Sequence, residues 1–491
     1  MKRRSSTAAS RRRFLQTSLL GAAAASFPTY LRAQGANDDV RVAVIGTGGQ
    51  GSGHIGRLMK ESKGCRFVAA CDADDSASAK NKAAGERAGL KVDAYTDYRK
   101  LLENKDIDAV IIATPNHTHS LIGIAALQAG KHVYVEKPVS HNIWEGRQLA
   151  TAAAQHPNLI AMHGMQRRSA IGWEEIEAFI ADKDCPLGKL VLSRGLCYKK
   201  RDNIGKCGGP QPVPPGVDYN LWSGPRELLP ILRKRFHYDW HWQWPYGNGD
   251  IGNQGPHQLD VARRMIGDPT DLPASVLCIG GRFGYDDDAT TANTQIAFFD
   301  YKPVPVIFEV RGLPEKGMDF KLGTPKFRTG TAGIDVGNIL HFEGGTIAES
   351  MAFDKEGKRI RRFGEVQGGS HQQNFIDAIK AGKLVSHGHD AVTGHHAAAL
   401  AHMANVSYRL GQKSNPAEIA EKLQGHAGAL ETFERLKEHL SDNGLDIAKL
   451  DPVLGPMLSF DPKTEKFTGP MADQANATAT DDYRAEFSIK V

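Results

Sequence analysis

A glycine-rich turn between a strand and a helix constrains the fold of this chain more than any other sequence feature. Residues 40–45 (VRVAVI) have the pattern of a buried strand and run directly into Gly46-Thr47-Gly48-Gly49-Gln50-Gly51, after which a helical pattern continues to residue 58. The first glycine permits the tight turn, the second lets the backbone approach a pyrophosphate, and the third lets the helix pack on the strand. The helix N-terminus then faces the phosphates. The pattern predicts a dinucleotide site at Gly46, Gly48 and Gly51, and a glycine turn in some other α/β protein is the alternative.

An acidic residue after the next strand indicates which dinucleotide binds. Residues 66–71 (RFVAAC) form the second predicted strand, and Asp72 follows it, where a carboxylate can accept hydrogen bonds from both ribose hydroxyls. A 2′-phosphate would be repelled by Asp72 and Asp74, and no arginine follows immediately to receive it. The sequence therefore favours NAD over NADP.

The strands and helices that follow predict a doubly wound parallel sheet. Residues 108–114 and 131–135 are apolar strand patterns, and a helical pattern at 119–129 lies between them. Ligands of such sheets bind at the carboxyl ends of the strands. We therefore expect a group of residues near the nicotinamide: Thr114, Pro115, Asn116, Glu136 and Lys137.

Three motifs in this order resemble the Gfo/Idh/MocA oxidoreductases, relatives of glucose-fructose oxidoreductase and inositol dehydrogenase. They are the glycine turn, residues 113–119 (ATPNHTH) and residues 136–138 (EKP), and the resemblance extends over about residues 40–415. It implies a Rossmann domain followed by an α/β domain whose open, mostly antiparallel sheet often makes subunit contacts, and hence a homo-oligomer. It also implies that His119 belongs to the cofactor site, that Lys137 lies beside the reacting carbon, and that the peptide bond before Pro138 has an unusual geometry.

The second half of the predicted site lies in a long loop, residues 199–253, which follows a predicted strand at 190–198. Long loops often carry function. Residues 236–244 (FHYDWHWQW) hold three of the six tryptophans of the chain, and such rings can stack on the apolar faces of a sugar. Tyr198, Trp240 and His241 are therefore predicted to bind substrate, with a satellite core under the loop as the alternative. A metal site at His237 and His241 is disfavoured because no third ligand clusters with them.

A further element follows this loop. Asn253, His257 and Asp260 are spaced i, i+4, i+7, so one helix would present all three to a common ligand. The segment resembles the D-x-x-x-H-x-x-D element of the same family, except that Asn253 replaces the first aspartate and cannot exchange a proton. We predict that all three bind substrate, although a structural role for His257 remains open.

These residues together predict hydride transfer. A base must remove the hydroxyl proton as hydride leaves the same carbon, and imidazole suits that work, whereas lysine needs burial and a neighbouring cation to become a base. We assign His257 as the base and Lys137 as the orienting acid of an NAD-dependent oxidoreductase that acts on a secondary alcohol of a sugar, glycoside or polyol. The alternatives are an NAD-dependent glycosidase or lyase that uses transient oxidation without net redox, and a sugar sensor that binds NAD without turnover.

The N-terminal residues are predicted to be an export signal. Residues 10–16 (SRRRFLQ), an alanine-rich run at 17–31 and Ala33 resemble a twin-arginine signal, which implies the twin-arginine translocase as a partner and a periplasmic or otherwise exported protein. An uncleaved anchor is the alternative. The first 33 residues also hold seven Lys and Arg and no acid. The remaining 54 basic and 56 acidic side chains give no electrostatic footprint for nucleic acid.

The chain length of 491 residues and the positions of the motifs predict four segments. They are a signal at 1–33, a Rossmann domain at 38–160, a substrate-binding and oligomerisation domain at 161–440, and an extension at 441–491. Helices are predicted at 371–381 and 394–410. The polar tail is expected to wrap either a neighbouring subunit or the substrate mouth. The six cysteines form no C-x-x-C pair, and a Cys197–Cys207 disulfide is left open.

Overall fold

The computed structural model describes residues 39–314 and 334–491. The predicted signal at residues 1–33 lies outside the described residues. Within them, no helix combines the length and the apolar character that crossing a membrane requires. All six cysteines are free, so Cys197 and Cys207 are not bridged.

The first domain is built on a parallel sheet with the strand order β3-β2-β1-β4-β5-β6. The order reverses between β1 and β4, which creates the crevice where such sheets bind ligands. The sheet continues past residue 160, because its last strand pairs in parallel with β5. The strands are β1 (Val40–Ile45), β2 (Cys65–Cys71), β3 (Asp93–Tyr95), β4 (Ala109–Ile112), β5 (His132–Val135) and β6 (Ala161–His163).

Helices connect these strands as the doubly wound pattern requires. Buried faces of the first helix and of the sheet form one apolar core, and the opposite face of the sheet forms a second core with the fourth and fifth helices. The predicted α/β fold class is confirmed. The helices are α1 (Gly49–Lys60), α2 (Asp75–Arg87), α3 (Tyr98–Glu103), α4 (His119–Gln128) and α5 (Ile143–Gln155).

The second domain contains a mixed, mostly antiparallel sheet of twelve strands among the described residues. Its central pair, β7 and β10, is parallel, and every other recorded pair is antiparallel. The strands are β7 (Leu190–Cys197), β8 (Ser275–Gly281), β9 (Thr294–Phe299), β10 (Val306–Arg311), β11 (Val336–Phe342), β12 (Gly345–Ala348), β13 (Met351–Asp354), β14 (Arg359–Arg362), β15 (Gln412–Lys413), β16 (Val453–Leu454), β17 (Leu458–Asp461) and β18 (Lys466–Thr468).

Helices cover both faces of the centre of this sheet. One face packs against the ninth and eleventh helices of the chain, and the other packs against the twelfth and thirteenth. The helices are α6 (Ile171–Ala181), α7 (Tyr219–Ser223), α8 (Gly249–Asn253), α9 (Gly255–Met265), α10 (His371–Ala381), α11 (Ala391–Arg409), α12 (Pro416–Lys422), α13 (Ala429–Asp442) and α14 (Ala472–Thr478). The family resemblance does not predict that α12 and α13 cover the second face.

A buried charge cluster holds α13 on the sheet. Glu309 on β10 is 0% exposed and contacts Arg194 of β7 at 2.5 Å and Arg435 of α13 at 2.6 Å. Arg311 approaches the same carboxylate at 3.3 Å. These cations hold the pKa of Glu309 well below its ordinary range, although burial alone would raise it.

The residues after 480 pack on the Rossmann domain of the same chain rather than extending from it. Phe487 is 1% exposed within the core around α3 and α4, and Arg99 pairs with Glu486 at 3.0 Å. Asp481 contacts Arg226 of the long loop at 2.5 Å. We call residues 481–489 the tail strap, because they connect the Rossmann domain to that loop.

Candidate functional site

The glycine turn has the geometry that its sequence predicts. Gly46 has a φ of +83°, and a Cβ there would lie 2.5 Å from the Thr114 nitrogen. A Cβ at Gly51 would lie 1.8 Å from the Gly46 carbonyl oxygen. At Gly48, by contrast, a Cβ would meet no atom of the described residues within 4 Å, so this side of the turn has room for a pyrophosphate. The turn thus provides the cradle that a dinucleotide requires.

Asp72 lies at the end of β2 and at one end of the cleft. Its carboxylate accepts hydrogen bonds from the backbone N–H of Thr47 at 2.6 Å and of Asp74 at 3.0 Å. Burial raises the pKa of Asp72, and these two donors oppose the rise. Asp74 is held by the His237 ring at 3.0 Å. The Asp72 carboxylate therefore lines the cleft where the adenosine ribose of a bound dinucleotide would lie, and Asp74 lies next to it, held by Ser76 and His237.

The long loop crosses over this end of the cleft. Asp74 forms a β-bridge with Val217, and the Asp218 N–H donates to the Ala73 carbonyl at 2.8 Å. Downstream of this bridge, Leu221 and Trp222 line the cleft. The sequence predicted a functional role for this loop but not for Trp222, which lies outside the aromatic run at residues 236–244. The loop makes a second wall for the cofactor site.

The whole cleft has a volume of about 490 Å³. The predicted nicotinamide residues lie together at its other end. His119 connects two strand ends, because its ring nitrogens lie 2.6 Å from the Thr114 and Pro138 carbonyl oxygens. The peptide bond between Lys137 and Pro138 is cis, the unusual geometry that the resemblance implies. The predicted residues that line the cleft here are Thr114, Pro115, Asn116, His119, Glu136 and Lys137.

Glu136 is buried and fully hydrogen-bonded. Its Oε1 lies 2.9 Å from His54 Nε2 and accepts from the Gln50 amide at 2.9 Å, and its Oε2 accepts from the Lys137 N–H at 3.0 Å. Burial would raise the pKa of Glu136, but His54 and the Lys137 charge hold it well below its ordinary range. His54 was missed by sequence reasoning, although it lies on α1 only three residues beyond the glycine turn.

Lys137 and His257 line the same cleft from different domains. The Lys137 ammonium donates to the Asn253 carbonyl at 2.8 Å, and burial lowers the pKa of Lys137. His257 lies in the first turn of α9, and its buried Nδ1 has no hydrogen-bond partner among the described residues. Burial and the Lys137 charge lower the pKa of His257 to about 3, so its ring is neutral at neutral pH.

Two predicted substrate residues do not reach the cleft. Asp260 is 0% exposed and pairs with Arg168 at 2.8 Å, so it is a structural ion-pair partner. Tyr198 donates to Glu309 at 2.5 Å and belongs to the charge cluster under α13. The prediction that these two residues bind substrate is therefore wrong.

The helical face expected for Asn253, His257 and Asp260 is interrupted. Asn253 ends α8, and α9 begins only at Gly255. Asn253 still lines the cleft, but its main-chain carbonyl rather than a shared helix face reaches Lys137. The break therefore separates Asn253 from the helix that carries His257 and Asp260, whereas Asp260 is absent from the cleft because it is buried against Arg168.

The aromatic run contributes to both the cleft and a core. Trp240 and His241 line the cleft, and their rings stack at 3.7 Å between centroids. Trp240 also packs in a satellite core with Trp222 and Phe236. The two interpretations of this run are therefore compatible.

Two cations in the cleft were not singled out from the sequence. Lys199 and Arg201 follow β7 directly and line the cleft near Lys137. Arg201 forms a two-pronged contact with the buried Asp250 at 2.8 and 2.5 Å. Their position just after the carboxyl end of a strand is the signal that could have identified them.

Comparison with known proteins agrees with this architecture. Residues 40–163 match the model described as "Oxidoreductase family, NAD-binding Rossmann fold", and residues 192–310 match "Oxidoreductase family, C-terminal alpha/beta domain", both of the Gfo/Idh/MocA group. The inositol 2-dehydrogenase of Salmonella typhimurium is 28% identical over 159 residues, which are 32% of this chain and 46% of that protein. The inositol 2-dehydrogenase/D-chiro-inositol 3-dehydrogenase of Halalkalibacterium halodurans is 30% identical over 167 residues, 34% of this chain and 46% of that protein. The match thus spans less than half the length of these curated relatives.

Solved structures share the fold over a larger part of the chain. The WlbA dehydrogenase of Bordetella pertussis, in complex with NADH and UDP-GlcNAcA, has a TM-score of 0.54 at 17% identity, covering 76% of this chain and 97% of that one. Scyllo-inositol dehydrogenase of Lactobacillus casei with NAD(H) and scyllo-inositol has a TM-score of 0.51 at 18% identity, covering 74% and 95%. Over residues 40–163 and 192–310, this chain belongs to the Gfo/Idh/MocA oxidoreductase family, and the first of these segments is its NAD-binding Rossmann domain.

Proposed function

We propose that this protein oxidises a secondary alcohol of a sugar, glycoside or polyol by hydride transfer to a tightly held NAD. One observation carries the proposal: Lys137 and His257, supplied by different domains, line one cleft whose other end is formed by the glycine turn and Asp72. A proton acceptor, a cation and a dinucleotide cradle within one cleft are the parts that alcohol oxidation requires.

The residues present fit NAD. Gly48 leaves room for the pyrophosphate, Asp72 is placed for the ribose hydroxyls, and the strand ends of β4 and β5 line the nicotinamide half of the cleft. When bound, NAD supplies the acceptor for the hydride. The loop that carries Trp222 covers the adenosine half, which supports slow release.

Lys137 and His257 then handle the substrate hydroxyl. The neutral His257 ring accepts the hydroxyl proton as the C–H bond breaks, and Lys137, fixed by the Asn253 carbonyl, holds the oxygen as negative charge develops on it. Glu136 stays ionised beside His54. Its carboxylate accepts a hydrogen bond from the backbone N–H of Lys137 and so fixes the Lys137 backbone. The charge of Glu136 also favours the protonated form of Lys137.

Mass analysis of products from a panel of glycosides and polyols tests the proposal. A keto product two mass units lighter than the substrate is the expected result. A cleaved glycoside without net oxidation would assign the glycosidase or lyase chemistry instead. Binding without any product from the whole panel would favour a sensor and contradict the proposal.

Export through the twin-arginine translocase is part of the same proposal. Its support is the sequence of residues 10–33, in which paired arginines precede Phe14-Leu15 and a weakly apolar run. Replacing Arg12 and Arg13 by lysine should retain the protein in the cytoplasm, as cell fractionation would show. Unchanged export of that variant, or export in cells that lack the translocase, would contradict this part of the proposal.

A further inference from the structure

The half of the cleft beyond the nicotinamide residues carries an unbalanced positive charge. Three cationic side chains line it. Among the residues that the structure describes, the only acidic ones that line the cleft are Asp72, at the adenosine end, and Glu136, which is paired with His54. We call the group Lys137, Lys199 and Arg201 the cation cluster.

The charges of the cation cluster act on one another. Burial lowers the pKa of Lys137, the carboxylates of Glu136 and Asp250 raise it, and Arg201 and Lys199 lower it further. The charge of Arg201 also reaches His241. Lys137 is buried and feels these like charges in a low local dielectric, whereas Lys199 is exposed at the mouth of the cleft, where solvent screens its charge and a ligand can reach it. A ligand that brings negative charge reduces the repulsion between these like charges.

The members of the cation cluster differ in how they are neutralised. Arg201 has its own counter-ion, since Asp250 is 1% exposed and binds it through two hydrogen bonds. Among the described residues, Lys137 and Lys199 form no ion pair with a carboxylate. In the proposed function, Lys137 contacts the reacting oxygen. Among the described residues, Lys199, which lies near Arg201, is then the cation of the cluster that has no carboxylate partner.

We propose that the substrate carries a carboxylate and that Lys199, with Arg201, recognises it, so the substrate class is a sugar acid or glycosiduronate rather than a neutral polyol. This inference rests on the proposed function. A carboxylate fits better than a phosphate dianion, because only one cation beyond Lys137 lacks a counter-ion. The stacked Trp240 and His241 rings provide an apolar surface for the sugar ring beside the cluster.

A matched pair of ligands tests the proposal: methyl β-D-glucuronide and methyl β-D-glucoside, which differ only in carboxylate against hydroxymethyl at C6. We expect the protein loaded with NAD to bind the glucuronide at least about tenfold more tightly by calorimetry, and the preference to shrink with added salt. In Lys199→Gln the preference should fall to about threefold or less. Glucose 6-phosphate binding more tightly than the glucuronide would overturn the assignment to a carboxylate.

A control variant distinguishes the effect of the charge at Lys199 from the effect of removing any one positive charge from this region. Lys200 is adjacent in sequence, pairs with Asp202 at 3.6 Å and does not line the cleft, so Lys200→Gln should retain the full preference. Equal binding of the two ligands, binding of neither, or a preference that survives Lys199→Gln would overturn the inference.

Turnover of the same ligands distinguishes this inference from the proposed function. If the glucoside is oxidised as efficiently as the glucuronide and binds equally well, the inference fails and the proposed function stands. If the glucuronide binds preferentially through Lys199 but neither glycoside is oxidised or cleaved, the anion site stands and the proposed function fails.

Discussion

Asp72 is the residue that decides between the two nicotinamide dinucleotides. Its carboxylate is fixed by the N–H groups of Thr47 and Asp74, so it cannot swing away from an incoming 2′-phosphate. We expect NAD to bind at least about tenfold more tightly than NADP, which is about 1.4 kcal/mol. Calorimetric titration of the protein freed of nucleotide measures the ratio.

The variant Asp72→Asn should reduce this preference, and Glu86→Gln, an exposed position on α2 that faces Lys82, should not. Equal or tighter binding of NADP by the unmodified protein would show that Asp72 does not control the choice.

His257 and Lys137 should both be needed for turnover. We expect His257→Ala and Lys137→Ala each to lower kcat at least about a hundredfold, since removal of a general base typically costs about 10²–10⁴. NAD binding to His257→Ala should be nearly unchanged. Initial rates together with nucleotide titration check both statements, and Lys200→Gln serves as the matched surface control. Full activity of His257→Ala would remove that residue from the mechanism.

The pH dependence of the His257 effect follows from its environment. Because burial and Lys137 lower its pKa to about 3, its ring stays neutral at pH 5, where an ordinary imidazole with a pKa of about 6.5 would be mostly protonated. The ratio of kcat/KM between the unmodified protein and His257→Ala should therefore change by less than about threefold between pH 7 and pH 5. A tenfold loss of that ratio on acidification would indicate an ordinary pKa.

At the scale of elements, local patterns identified the four strands of the Rossmann domain that carry the cofactor site, β1, β2, β4 and β5, but not β3, β6, α2 or α3. Gly46 follows β1, Asp72 follows β2 and Glu136 follows β5, and these residues mark the cofactor site. The errors occurred where a side chain's role depends on a partner distant in sequence: Asp260 pairs with Arg168, 92 residues away, and Tyr198 with Glu309, 111 residues away. Spacing along one segment cannot reveal such partners.

The break between α8 and α9 is a second difference between the structure and the sequence prediction, and its cause is local. Residues 247–255 contain four glycines, and the pattern favoured a continuous helix from Asn253 to Asp260. Gly249 begins α8 with a φ of +68°, and the helix stops at Asn253 before α9 starts. The catalytic roles proposed for Lys137 and His257 remain predictions, whereas their meeting in one cleft is a property of the fold.

Helix α13 depends on the charge cluster beneath it. Replacing Glu309 by Gln leaves Arg194, Arg311 and Arg435 buried without their shared carboxylate. Breaking a buried ion pair from one side typically costs about 3–5 kcal/mol, and we expect a loss of that size in the free energy of unfolding. Denaturant titration measures it.

The neighbouring acid provides the control for this prediction. Glu431 on α13 contacts Arg435 and Arg194 but is 48% exposed, so Glu431→Gln should cost about 1 kcal/mol or less. If the two variants lost equal stability, the Glu309 cluster would not be what holds α13 on the sheet.

At the scale of the whole molecule, the helices that cover the sheet of the second domain limit which surfaces can take part in self-association. The apolar face formed by β8, β9 and β10 is occupied by α12 and α13 of the same chain, with Phe433 and Leu436 buried in it. We therefore expect the homo-oligomer predicted from the family resemblance to use another surface, such as the side of the sheet bearing β12 to β14.

The tail strap and the loop together predict slow release of the cofactor. An enzyme outside the cytoplasm has no replenished dinucleotide pool, so export of a working enzyme requires that NAD travel with it. We expect protein purified without added nucleotide to contain nearly one NAD(H) per chain after denaturation. Because each oxidation leaves NADH in the site, repeated turnover also requires that the hydride pass to a second carbonyl substrate or return to the same sugar. Supplied with a carbonyl acceptor, the same preparation should turn over repeatedly without added NAD.

A substitution in the strap tests its part in retention. Phe487→Ala should loosen the strap and speed NAD release, because it removes a 1% exposed ring from the Rossmann core. Val491→Ala, outside the strap and 40% exposed, is the control. Protein that is isolated empty and needs millimolar NAD would contradict retention, and unchanged release from Phe487→Ala would contradict a role for the strap.

The strap also sets an order in which the molecule can be completed during translation. The Arg99–Glu486 contact joins residues 387 positions apart, so it cannot form until nearly all of the second domain has left the ribosome. At about 5–20 residues per second, the ribosome needs about 15–65 seconds to pass from the end of β6 to the strap. During that interval the strap does not yet hold the long loop over the crevice, so we expect NAD to enter the nascent Rossmann domain more readily than the finished protein. If the strap retains the cofactor as expected, synthesis itself provides a loading period that ends when the last segment packs on the Rossmann domain.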